Sequence, residues 1–265
     1  MTDLHYEHPT LVSLYDLGNG WSDDREFYLS LAGPHPMRIL DLGCGTGLLC
    51  NAYAQRGHIV TGVDPAASML DAAKRSPLGG SIEWIQGSAQ SFHSAATFDL
   101  IIMTGHAFQV LLKEEDVASV FARIRSLLAP HGVFAFESRN PQVDWAREWH
   151  GMQREFESPF GIVRESFKVH SAQEEKIVFE TEYSLPNEKL VSVSELRFMS
   201  AGTITKQLND AGLSIYKLLG DWNGEPFNLE RSREMIFLVK VAGNNLDLRR
   251  GSLALRDTGS EFPSN

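Results

Sequence analysis

Asp41-Leu42-Gly43-Cys44-Gly45-Thr46-Gly47 sets an acid two residues ahead of three glycines at alternate positions, near the end of an apolar run that starts at Arg38. Glycine tolerates positive φ and leaves no side chain between the backbone and whatever lies on it. The spacing therefore describes a strand-to-helix turn on which a nucleoside-bearing cofactor can rest. A dinucleotide fingerprint needs G-x-G-x-x-G, but the position of its third glycine is Leu48. A phosphate loop needs Gly-Lys-Ser/Thr, which does not follow here. Cys44 and Cys50, the only two cysteines, are poorly placed for a disulfide across this turn and read as small packing residues.

The elements that position this turn alternate. Arg38 to Leu42 reads as a strand, and the helix from Leu48 ends at Gly57. His58 to Val63 is a second strand that stops at Asp64, with Pro65 suited to the first position of a helix over Ala66 to Arg75. Further strands fall at Ile82 to Ile85, Phe98 to Met103 and Val133 to Phe136. A helix from about Glu114 to Leu128 carries acids in its first turn and Val117, Val120, Phe121, Ile124 and Leu128 at helical spacing. Strands alternating with helices imply a doubly wound α/β fold with a mostly parallel sheet covered on both faces.

Two regions break this rhythm. Residues 1–36 read as a helical cap, with Leu11, Val12, Leu14, Tyr15 and Leu17 in one stretch and Phe27, Tyr28 and Leu31 on the stripe of another. Between about 150 and 198 lie three alternating segments, Ile162 to His170, Ile177 to Leu185 and Leu190 to Phe198, with hairpin-length connections. They imply an antiparallel insertion in a domain spanning 37–242, which resumes with a helix over Ser200 to Ala211 and strands at Ser214 to Leu219 and Glu234 to Val241. The stretch 243–265 lacks periodicity and reads as a disordered tail.

With 265 residues, 43% of them hydrophobic, the chain can bury an enzyme-sized core. Its net charge of -10 argues against a nucleic-acid partner, and with no long apolar stretch or leader-like N-terminus the expectation is a cytoplasmic protein without a membrane partner. No metal site is expected.

Asp41 to Gly47 matches, position by position, the acid and G-x-G-x-G motif of the class I S-adenosylmethionine-dependent methyltransferases, which the chain resembles most over 38–140. The resemblance implies the Rossmann-like methyltransferase fold with seven strands. It also implies S-adenosylmethionine as cofactor, S-adenosylhomocysteine as product, and an EC 2.1.1 type of activity. Asp41, Gly43, Cys44, Gly45 and Gly47 would then form the cofactor turn, with Asp41 orienting the turn or meeting the cofactor's ammonium. Asp64, followed by Pro65, matches the family acid that accepts both ribose hydroxyls; a structural capping role is compatible with this. Ser88, with Ala89, stands where the family often has an acid for the adenine amino group, a departure. Met103 and Thr104 would lie beneath the sulfonium or ribose.

The residues after Thr104, Gly105-His106-Ala107-Phe108, lack the Asn/Asp-Pro-Pro-aromatic tetrad of enzymes that methylate DNA bases. His106 can act as a base toward the nucleophile, or its ring can shape the loop. Arg139 after the fifth strand could meet an anionic group, while Tyr15, Trp21 and Trp222 are acceptor-contact candidates that could equally be packing residues. In aminosugar and glycine N-methyltransferases a similarly placed insertion roofs the site or builds a dimer contact. The expectation is methyl transfer to a nitrogen or oxygen of a small molecule, with room for a homodimer. An NAD(P)-dependent oxidoreductase and a non-catalytic cofactor-binding scaffold are the alternatives.

Overall fold

The computed structural model describes residues 3–243, so the tail expected over 243–265 lies outside the described residues except for its first position. Three helices come first: α1 (Leu4–Glu7), α2 (Pro9–Gly18) and α3 (Asp23–Ser30). Pro9 stands in the first turn of α2 after an extended His8, so α2 carries the expected stretch Leu11 to Leu17 and the short α1 precedes it as a separate helix.

The main sheet contains β1 (Arg38–Leu42), β2 (Ile59–Asp64), β3 (Glu83–Gln86), β4 (Phe98–Met103) and β5 (Leu128–Arg139). Helices α4 (Leu48–Gln55), α5 (Ala67–Lys74) and α6 (Glu114–Leu127) connect them, except between β3 and β4, where a loop replaces a helix. The order is β10-β11-β5-β4-β1-β2-β3, with β10 (Leu213–Leu219) and β11 (Glu234–Val241) reached through α8 (Ala201–Asp210). β11 runs antiparallel to both β5 and β10, and the other pairs are parallel. This is the expected doubly wound α/β sheet. Ile39, Leu40 and Leu42 are all buried because helices cover both faces.

One face packs on α6, whose Val117, Val120, Phe121 and Ile124 are fully buried. Phe136 sits at the centre of this layer, its ring 4.8 Å from those of Phe108 and Phe237 and 5.8 Å from Phe121. Phe136→Ala should lower unfolding free energy by about 3–5 kcal/mol, measured by urea titration, because so enclosed a site cannot collapse around the missing ring.

Between β5 and α8 the chain forms α7 (Trp145–Trp149) and a separate antiparallel sheet of four strands: β6 (Gln153–Ser158), β7 (Gly161–Gln173), β8 (Lys176–Ser184) and β9 (Lys189–Arg197). The expected segments are three of these. β6 escaped notice because Phe156 is its only apolar residue and the rest of it faces solvent or ion pairs. Ile177, Thr181 and Tyr183 are buried on one face of β8, matching the alternation in the sequence.

α1 joins this second sheet to the N-terminal layer. Asp3 accepts from the hydroxyls of Ser192 and Ser194, His5 N–H donates to Ser192 Oγ at 3.0 Å, and His5 Nδ1 lies 2.6 Å from the Tyr183 hydroxyl. Leu11 and Leu14 of α2 pack against Val163 and Tyr183. Among the described residues no helix is long and apolar enough to cross a membrane.

Candidate functional site

The glycine turn lies at the carboxyl end of β1, where Gly43 and Cys44 N–H groups donate to Val63 O at 2.8 and 3.1 Å. Asp64 ties this turn to the next one. Its Oδ2 accepts from Gly45 N–H at 2.9 Å and its Oδ1 from Ala66 N–H at 2.8 Å. The N-cap of α5 is Ala66, so Pro65 stands ahead of the helix rather than at its first position. Burial pushes the Asp64 carboxyl up, opposed by its two N–H donors. Each oxygen, with one donor already bound, has a further lone pair, and Asp64 lines the main cavity.

The glycines do different work. Gly45 has φ +55° and lines the cavity, and a Cβ there would meet only Tyr15 Cε1, at an ordinary contact distance of 3.9 Å. Gly47, at φ +76°, makes room for protein instead: its Cβ would stand 2.4 Å from the Trp84 ring. Gly47 lines neither the main cavity nor the small pocket, and Trp84 is held against it by its Nε1 donating to Gly79 O at 2.8 Å. Cys44 is largely buried in packing with Cys50, the packing role expected of both.

Asp41 is buried beneath the turn, and Cys50 Sγ donates to its Oδ2 at 3.3 Å. Its Oδ1 has no hydrogen-bond partner among the described residues. Burial pushes this carboxyl up to about 7. The folded chain therefore keeps a proton that the unfolded chain, near 3.8, has released. Stability is greatest below the unfolded value and falls as pH rises through this window to about 7. Asp41→Asn should remove that loss, so urea titrations from acid to neutral pH should show the variant gaining on the wild type, by at most about 4 kcal/mol.

A small pocket of ≈ 40 Å³ above Asp41 is lined by Arg25, Asp16, Thr46 and the glycine turn. It shares Tyr15, Gly43, Gly45, Thr104 and Gly105 with the main cavity. Thr46 Oγ1 donates to Asp16 Oδ1 at 2.6 Å, fixing α2 against the turn.

Opposite lies the turn after β4. His106 has φ +60°, and its N–H donates to Glu137 Oε1 at 2.6 Å. Buried Glu137 also accepts from the Tyr28 hydroxyl, and burial pushes its carboxyl up. His106 Nε2 lies 3.0 Å from Glu234 Oε2 of β11. Two carboxylates on neighbouring strands thus hold one histidine at the cavity edge.

The main cavity, ≈ 370 Å³, runs from Gly43, Gly45 and Asp64 past Thr104 and His106 to the roof sheet. The roof contributes Phe167, Phe179, Thr181 and Tyr183, while α1 and α2 contribute His5, Tyr6 and Tyr15. Burial lowers the pKa of His5 and pushes the Tyr15 hydroxyl up to about 12, so both are neutral at physiological pH. Arg139 and Trp149 close the far end.

Of the expected site residues, Gly43, Gly45, Asp64, Pro65, Thr104, His106, Tyr15 and Arg139 come together on this cavity, with Asp41 and Cys44 on the adjoining pocket. Others lie apart. Met103 is buried in the α6-side core, Ala89 packs against that core, and Ser88 exchanges hydrogen bonds with Ser91 in the loop after β3. Trp21 is 47% exposed with Nε1 donating to Glu26, and Trp222 packs against Phe27 and Tyr28. Neither tryptophan lines the cavity. Sequence reasoning missed Arg25, His5 and Tyr6. The available signal was the aromatic pair Tyr6 and Tyr15 flanking the Pro9 helix start.

Residues 39–132 match the family described as a methyltransferase domain. The ubiquinone biosynthesis O-methyltransferase of Saccharophagus degradans is 33% identical over 145 residues, which cover 53% of this chain and 58% of that protein. The chain thus spans less than two thirds of that relative's length. The cypemycin N-terminal methyltransferase of a Streptomyces species is 24% identical, over 91% of this chain and 99% of that one. The crystal structure of an S-adenosylmethionine-dependent methyltransferase from Clostridium acetobutylicum shares the fold at TM-score 0.73 and 15% identity, covering 88% of this chain and 98% of its own.

Proposed function

We propose that the chain is a class I S-adenosylmethionine-dependent methyltransferase that transfers a methyl group from S-adenosylmethionine to a nitrogen or oxygen of a small-molecule acceptor, a reading supported by the family match over 39–132 and by the shared fold. The observation that carries this reading is the single cavity that has the glycine turn and Asp64 at one end and the roof sheet at the other.

The residues fit the cofactor. Gly45 leaves a backbone surface open to the cavity, Asp64 keeps acceptor capacity for paired hydroxyls, and the partnerless Asp41 Oδ1 sits under a small polar pocket. Asp64 would hold the ribose, Asp41 would give up its proton to face the ammonium, and Arg25 would take the carboxylate. Bound there, S-adenosylmethionine supplies a methyl group on a positively charged sulfur.

The chain's own contribution is mostly geometric. Thr104, Gly105 and His106 form the wall between the glycine turn and the acceptor space, and the roof and α1 border it on the other side. Glu234 holds His106 by Nε2 and leaves Nδ1 to receive the proton released by the nucleophile. His106→Asn should lower kcat about 10²-fold or more and remove one limb of its pH profile, with S-adenosylhomocysteine affinity unchanged. An unaltered pH profile would leave His106 as a residue that shapes the turn.

The cavity's small volume and enclosed roof favour a small acceptor, and the relatives' names include both O- and N-directed enzymes. Thermal-shift titration tests the cofactor assignment. S-adenosylhomocysteine should raise the melting temperature and NADH should not; the reverse would restore the oxidoreductase reading.

A further inference from the structure

Arg139 is the last residue of β5 and lines the acceptor end of the cavity. It is positioned in advance. Gln109, fully buried, accepts from Arg139 Nη1 at 2.9 Å through Oε1 and is itself anchored by Nε2 donating to Arg197 O at 3.0 Å. The guanidinium carbon lies 5.0 Å from the Trp149 ring and 5.6 Å from that of Trp145, so an indole pair supports it.

What it lacks is an anion. Among the described residues no carboxylate lies within ion-pair distance of Arg139, and Nε and Nη2 have no hydrogen-bond acceptor. The nearby acids are committed elsewhere: Glu137 to His106 N–H and Tyr28, and Glu234 to the His106 ring. Arg154, the other arginine on this cavity, is paired with Glu165. Partial burial of an unpaired cation is costly, so a chain that keeps one beside its acceptor space gains when a ligand supplies the counter-charge.

We infer that the acceptor carries an anionic group, carboxylate or phosphate, which Arg139 binds through its free N–H donors while the nucleophile points toward His106 and Gly45. This rests on the methyl-transfer reading and adds the acceptor's chemical class to it. Trp149 and Phe179, whose rings lie 5.0 Å apart, give the remainder of the acceptor an aromatic wall.

The test uses the full chain, methyl-tritiated S-adenosylmethionine and a bacterial small-molecule extract in three portions. One is untreated, one has its carboxylates converted to amides by carbodiimide and ammonia, and one is treated with alkaline phosphatase. The labelled product should contain a carboxylate or phosphate by mass spectrometry, and label should disappear after carbodiimide treatment if the group is a carboxylate or after phosphatase if it is a phosphate ester. Arg139→Gln should raise the acceptor KM roughly 10- to 150-fold, the loss of a charge-assisted contact, with S-adenosylhomocysteine affinity unchanged. A labelled product that carries neither carboxylate nor phosphate, label that survives both treatments, or an unchanged KM in the variant would overturn the inference. Failure to bind S-adenosylhomocysteine, or binding without labelling any small molecule, would instead overturn the methyl-transfer reading on which it rests.

Discussion

Gly45→Val should abolish S-adenosylhomocysteine binding, with a loss of more than about 100-fold, or about 2.7 kcal/mol, in calorimetric titration. The effect is steric. Gly45, at φ +55°, lines the cavity, with Tyr15 Cε1 at 3.9 Å the nearest atom a Cβ would meet. A branched side chain would fill the volume in which the cofactor is expected to lie. The fold should survive, since the left-handed conformation costs an L-residue about 1–2 kcal/mol and a Cβ there would meet only Tyr15 Cε1, at an ordinary contact distance. Gly47→Val should behave differently, because its Cβ would strike Trp84 and disturb packing between α4 and β3. Stability and binding should therefore separate at Gly45 and fall together at Gly47.

The second large effect is expected at Asp64. Asp64→Ala removes the acceptor for Gly45 and Ala66 N–H groups, so two loops that frame the cavity lose their common anchor. It also removes the oxygens assigned to the ribose hydroxyls. Charge-assisted hydrogen bonds contribute about 1.5–3 kcal/mol each, so cofactor affinity should fall about 100-fold or more and unfolding free energy by about 1–3 kcal/mol. Asp64→Asn distinguishes the two roles. One amide oxygen can still accept from a backbone N–H, which preserves much of the stability, but the second hydroxyl acceptor is gone and binding should remain at least about tenfold weaker. Equal affinity for Asp64→Asn and wild type would show that the carboxylate serves only the loops.

Where a role depended on local backbone geometry, it could be read from sequence. The acid-glycine turn, the Asp64 strand end and the 3.6-residue stripe of α6 are short-range patterns, and each stands where its spacing indicated. Long-range contacts were not legible. His5 borders the cavity because β8 and β9 come down onto α1, a contact between residues 187 positions apart. Glu137 falls just after the strand expected at Val133 to Phe136, and only the fold shows it inside β5, receiving Tyr28 from α3 and the His106 N–H from the turn after β4. Trp21 and Trp222 misled for the same reason. Their size favours a pocket wall, but which surface a tryptophan covers depends on the neighbouring layer, and here that layer is α3. The departure at Ser88 coincides with the helix missing between β3 and β4, leaving a turn in which Ser88 and Ser91 bond to each other.

The functional account comes down to the main cavity. It requires that the glycine turn deliver a methyl group to a molecule small enough to lie beneath the roof sheet. The most direct measurement is mass spectrometry of a small-molecule extract incubated with the chain and S-adenosylmethionine carrying a ¹³C methyl group, with Gly45→Val as the paired control. The account requires a ¹³C-methylated small molecule that forms with the wild-type chain and not with the variant. A label found only on protein or nucleic acid, or formed equally by Gly45→Val, would contradict it.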